Sequence, residues 1–95
     1  MMDNYQPNPI DVSDIDLPQE LLKLEELIAK NTHEIWSQTR LNDGWRYAEQ
    51  RNDLQKETPS LVPYEQLSES EKQYDRIISM NVIRLVIKLG FDITK

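Results

Sequence analysis

The sequence predicts a mainly α fold: two long antiparallel helices joined by a compact segment with short β pieces. Three observations lead there. Apolar residues recur at helical spacing from Leu17 to about Arg40. A second run is bounded by a capping sequence at Ser68 and a glycine stop at Gly90. Between them, Trp45, Arg46 and Tyr47 alternate as a short strand does.

The first sixteen residues read as a flexible acidic arm, and residues 17–95 as one domain. Pro7 and Pro9 oppose regular pairing. Asp3, Asp11, Asp14 and Asp16 take four of the 17 acidic residues, leaving 13 against 11 Lys and Arg in the remainder. The arm is either a disordered terminus or is pinned by Ile10, Val12 and Ile15 to the body or to a neighbour.

The first helix is expected to begin near Leu17. Asp16 is placed to cap it, Pro18 suits its first turn and Glu20 its positive dipole end. Leu17, Leu21, Leu24, Ile28 and Ile35 form the apolar face, widened by Leu22 and Leu27. Glu26 and Lys30 stand four apart, a weak surface pair. Asn31 and Thr32 are poor helix formers and mark the place for a break. Gly44 ends the run.

In the middle segment, Leu61 and Val62 are the expected partner of the Trp45–Tyr47 strand. Pro63 confines them to an edge and presets a helical turn through Tyr64. The second helix opens on the capping box Ser68-Glu69-Ser70-Glu71 and closes on Gly90, with Phe91 free to pack back. Ile78, Met80, Val82, Ile83, Leu85, Val86, Ile87 and Leu89 cover roughly 220° of its surface, about twice an ordinary apolar stripe. Asn81, Arg84 and Lys88 leave only a narrow polar seam. One partner helix cannot cover such an arc, so a second copy of the chain is expected to cover the rest.

Composition excludes several functions. The formal net charge of −6 argues against duplex nucleic acid as a partner. No apolar run approaches bilayer length and no signal peptide is seen, so no membrane is expected and the location is read as cytoplasmic. With no cysteine there are no disulfides, thiolate metal sites or cysteine nucleophiles. His33-Glu34 lacks the second histidine of a zinc-protease helix, because position 37 is Ser37. Neither glycine belongs to a phosphate loop or a nucleophile elbow. No catalytic residue, metal or cofactor is assigned, and an enzyme is not expected.

One region stands out. Trp36, Arg40, Trp45, Arg46, Tyr47, Arg51, Lys56, Tyr64, Lys72 and Arg76 bring aromatic faces and cations together. Such groups stack a planar ring and pair an anion. They also serve as core anchors and structural ion pairs, with Asp43, Glu49, Asp53 and Asp75 as available partners. Lys72, Asp75 and Arg76 share one helix face. Either Asp75 holds Arg40 or Arg76, or Lys72 and Arg76 present charge to an anion.

Four pieces in order carry a resemblance: His33-Glu34-Ile35-Trp36, Gly44-Trp45-Arg46-Tyr47, Pro59 through Leu67, and Lys72-Gln73-Tyr74-Asp75-Arg76. Together they resemble the RyR domain, the repeat of ryanodine receptors that also occurs in bacterial and phage proteins. The likeness covers about residues 31–91. It implies a single helix–β–helix repeat, and a homodimer that would rebuild the tandem pair of the receptors. It also implies a signalling or ligand-binding module that senses a small anionic or nucleotide-derived molecule; with no membrane-spanning run, calcium-channel activity is not expected. Arg40, Trp45, Tyr47, Arg51, Lys72 and Arg76 are the candidate ligand-binding residues. His33, Trp36, Gly44, Leu61, Pro63, Tyr64 and Asp75 are the structural motif. The alternative is an interaction module without a small-molecule ligand. The chain departs from the family pattern at Ala48, where glycine is frequent, and at Thr58, where histidine is frequent; any ligand contact of that histidine is lost.

Overall fold

A computed structural model describes residues 4–95; Asp3 of the acidic arm lies outside them. The element order is α1 (Gln19–Leu22), α2 (Glu25–Asn42), β1 (Arg46–Tyr47), β2 (Glu57–Thr58), a 3-10 turn (Tyr64–Gln66) and α3 (Glu69–Lys88). The fold is mainly helical, with two long helices around a small β segment, as the sequence predicts.

The first helical run breaks at Lys23–Leu24, not at Asn31–Thr32. Thr32 stays helical because its hydroxyl bonds the Ile28 carbonyl at 2.8 Å and meets Ser79 Oγ at 2.8 Å. Those bonds occupy the group that would otherwise compete with the helix backbone. Asp16 does not cap the run. Pro18 takes the N-cap position, with no side-chain cap bond.

Both long helices end on the same device. After α2, the Gly44 N–H bonds the Leu41 carbonyl and the Trp45 N–H bonds that of Arg40. After α3, Gly90 bonds Ile87 and Phe91 bonds Val86. Each glycine has positive φ, 91° and 101°, the left-handed step of a Schellman stop. Phe91 does not pack back and remains exposed. At the other end of α3 the capping box forms, with Ser68 Oγ accepting the Glu71 N–H at 3.3 Å.

The strand pairing differs from the expected one. β1 pairs in parallel with β2, Arg46 opposite Glu57 and Tyr47 opposite Thr58. Leu61 and Val62 are not strand. The reason is local. Asn52 and Glu57 exchange both backbone bonds at 2.9 Å, and Lys56 adopts φ 54° to close that turn. The turn delivers Glu57 and Thr58 beside β1, where Thr58 is buried.

The core is small: Ala29, Tyr64 and Leu67, with Val62 packed against them, plus Met80, Val12 and Leu17. Ala29 is fully buried where α2 meets α3 and the 3-10 turn. The apolar face read from sequence is only partly the inward one. Leu24 and Ile35 are exposed, and Ala29 and His33 take the buried positions of α2. The polar seam of α3 does not face water alone. Arg84 Nε donates to the Ile15 carbonyl at 3.3 Å, and Lys88 Nζ to the Asp11 carbonyl and to Asp14. These bonds hold the N-terminal arm on α3, where Val12 is buried, Ile15 half-buried and Ile10 exposed.

Much apolar surface remains uncovered. Ile78, Val82, Val86 and Leu89 recur along α3 at steps of four, four and three, and are 60, 57, 38 and 66% exposed. The chain presents 7636 Å² to solvent, whereas the size scaling for folded monomers gives about 5,700 Å² at this mass.

Candidate functional site

The spacing Trp36–Arg40 puts the two side chains one turn apart on α2, and the Gly44 stop folds Trp45 back toward that turn. The Arg40 guanidinium therefore lies 5.4 Å from the Trp36 ring centre and 4.9 Å from that of Trp45. Arg51 sits 5.8 Å from the Trp45 ring. His33 stacks on Trp36 at 5.5 Å and 20°. The result is a ladder of rings and cations running His33, Trp36, Arg40, Trp45, Arg51. Both tryptophans are half-buried, neither core anchors nor free. Arg51 pairs with Asp53 at 2.7 Å. Arg40 joins no carboxylate among the described residues, so its charge is held only by two ring faces.

The six candidate ligand-binding residues do not gather at one point. Arg40, Trp45 and Arg51 share the ladder. Tyr47 is exposed and lines a shallow groove of about 310 Å³ with Ser37, Leu41, Leu61, Val62 and Pro63. Lys72 and Arg76 form a separate group around Tyr64. Lys72 Nζ lies 5.7 Å from the Tyr64 ring and 3.6 Å from Glu69. Arg76 is gripped by Glu26 through two nitrogens and also reaches Glu69. The Glu26 bond raises the Arg76 pKa further above its ordinary value and lowers that of Glu26.

Two expected pairs are corrected here. Asp75 holds neither Arg40 nor Arg76, because Glu26 and Glu69 already take the Arg76 guanidinium. Glu26 likewise does not pair with Lys30, which bonds Glu65 at 2.8 Å. Glu26 was hidden in the sequence by its plausible helix neighbour; its real partner is 50 positions away.

A second cleft, about 150 Å³, opens beside Trp36 and is lined by His33, Trp36, Ser60, Leu67, Glu71, Tyr74 and Asp75. His33 is buried, and its Nε2 donates to the Val62 carbonyl at 2.7 Å, with Ser37 Oγ at 3.4 Å. Glu71 accepts from Ser60 at 2.7 Å and from Ser68 at 3.1 Å. The Ser60 bond lowers its pKa against the opposing effect of burial. Asp75 behaves oppositely: burial raises its pKa, and no hydrogen bond offsets it.

The signs fix a pH test. A raised folded-state pKa means that Asp75 contributes stability below its ordinary value of 3.8 and loses it as pH rises through the folded pKa. Its ionised form therefore costs stability at neutral pH. Asp75→Asn is expected to raise Tm at pH 7, with the gain vanishing in acid. A gain that persists undiminished below pH 3.8 would contradict this assignment.

No helix among the described residues is long and apolar enough to cross a membrane. In the comparison with known families, the model of the RyR domain matches residues 5–95. The match extends through the N-terminal arm, well beyond the four sequence pieces that carry the resemblance.

Proposed function

The chain belongs to the RyR domain family, and on that premise we propose that it is a non-enzymatic binding module for a small anionic or nucleotide-derived ligand. The observation that carries this reading is Arg40, clamped between Trp36 and Trp45 without a carboxylate. A guanidinium fixed in this way has lost little of its pairing capacity and much of its freedom, so less ordering remains to oppose anion binding. Arg51 lies over the Trp45 ring; once it exchanges Asp53 for the ligand it supplies a second cation and opens that ring face to a base. Tyr47, Lys72 and Arg76 stand apart from the ladder, and the site on this reading centres on Arg40, Trp45 and Arg51.

The exposed α3 stripe supports a homodimer as the working form. The chain is read as a cytoplasmic signalling component, in keeping with its cysteine-free composition. The alternative, an interaction module with no small ligand, draws on the same stripe.

A thermal-shift screen against nucleotides and cyclic nucleotides separates the two. A true ligand at a hundredfold excess over Kd stabilises the fold by about 2.7 kcal/mol. Arg40→Gln is expected to weaken that ligand by about tenfold or more, since a charge-assisted bond is lost. No stabilisation by any nucleotide leaves the interaction-module reading in its place.

A further inference from the structure

We propose that the cleft bordered by His33, Trp36, Ser60, Glu71, Tyr74 and Asp75 binds a small organic ammonium ion. This site shares His33 and Trp36 with the ladder but takes the opposite charge and does not use the Arg40 guanidinium.

The inventory of donors and acceptors decides the class. No lysine or arginine lines the cleft. Ser60 already donates its hydroxyl hydrogen bond to Glu71. His33 spends its Nε2 donor on the Val62 carbonyl. Asp75 accepts no hydrogen bond and joins no ion pair among the described residues, although it is half-buried. Glu71 has one bond to each carboxylate oxygen and lone pairs to spare. The only full charges of the lining are thus the two carboxylates, with the Trp36 N–H and the Tyr74 hydroxyl as neutral donors. An anion would meet two carboxylates there and no cation to pair with. An ammonium group has three donors and no acceptor, the complementary set.

The apolar lining suits the rest of such a molecule. Leu67 forms part of the cleft, and Tyr74, a lining residue that is 66% exposed, is available to a cation or to an aromatic substituent. A partly desolvated carboxylate without a partner is unfavourable by itself. A bound cation removes that penalty. Arg76, the neighbouring cation in sequence, is turned away to Glu26 and does not compete.

Benzylammonium is the probe, with benzyl alcohol and benzoate as its neutral and anionic counterparts. The full chain is titrated while NMR follows the Trp36 indole and His33 imidazole signals. Benzylammonium is expected to shift both saturably, and benzyl alcohol to bind about tenfold more weakly, because it lacks the charge-assisted bonds. Asp75→Asn is expected to weaken benzylammonium by about tenfold while its Tm confirms an intact fold. Arg40→Gln should bind benzylammonium as the parent does, whatever happens to nucleotides. Equal affinity for benzyl alcohol, an unaltered affinity in Asp75→Asn, or no saturable shift would each overturn the proposal. A loss shared with Arg40→Gln would assign the probe to the ladder and overturn it equally.

Discussion

Tyr64→Ala is expected to destabilise the protein by about 3–5 kcal/mol, the range for deleting a large buried ring. Tyr64 is the largest member of the central cluster with Ala29 and Leu67. It is only 4% exposed. Its ring also lies 6.4 Å from His33 and carries Lys72 on its face. Removing it opens a hole between α2, the 3-10 turn and α3, and the small core has nothing with which to fill it. A 95-residue domain has a total stability of roughly 5–14 kcal/mol, so the loss takes a large share. Tyr64→Phe separates the ring from its hydroxyl. The Tyr64 hydroxyl meets Glu26 at 3.3 Å, a long bond to a carboxylate that Arg76 already holds. Phe is therefore expected to cost about 1 kcal/mol or less. Urea unfolding followed by circular dichroism measures both. Equal losses for Ala and Phe would mean that the hydroxyl, not the packing, matters.

Val82→Glu is expected to convert a dimer into a monomer. Val82 lies at the middle of the exposed α3 stripe, between Ile78 and Val86. In an interface related by twofold symmetry, one substitution places two carboxylates in the same buried patch. Each loses water without gaining a partner, a cost of several kcal/mol. In the free chain the residue is solvent-facing, so the fold itself should tolerate the change within about 0.5 kcal/mol. Light scattering at micromolar concentration reads the outcome. The parent should show twice 11.3 kDa and the variant 11.3 kDa. A parent that is monodisperse at 11.3 kDa removes the assembly proposal.

The elements most legible in the sequence were those fixed by neighbours close in the chain. Ser68 and Glu71 are three apart, and the capping box they predict forms. Gly44 and Gly90 act as stops because only a residue without Cβ takes positive φ freely. What was not legible depended on partners distant in sequence. Periodicity marked Ile35 as inward, yet α2 turns Ala29 and His33 to the core. Ala29 permits the close approach, and His33 finds the Val62 carbonyl 29 positions on. The strand partner was missed for the same reason. Leu61 and Val62 have the residue types of a strand, but the Asn52–Glu57 turn sets the register first. In the candidate site, the aromatic–cation character was visible. Its division into a ladder on Trp36 and Trp45 and an acid-bound group on Tyr64 was not, because Glu26 reaches Arg76 across 50 positions.

The large solvent-facing area has a calorimetric meaning. An extended chain of this mass exposes about 16,400 Å², so an isolated protomer with 7636 Å² exposed buries only a little over half of it. Both the heat-capacity increment of unfolding and the urea m-value scale with newly hydrated area. A lone protomer therefore melts over a broad range of temperature and denaturant, with a flat stability curve. Sharpness of the transition becomes a property of whatever surface is laid against α3.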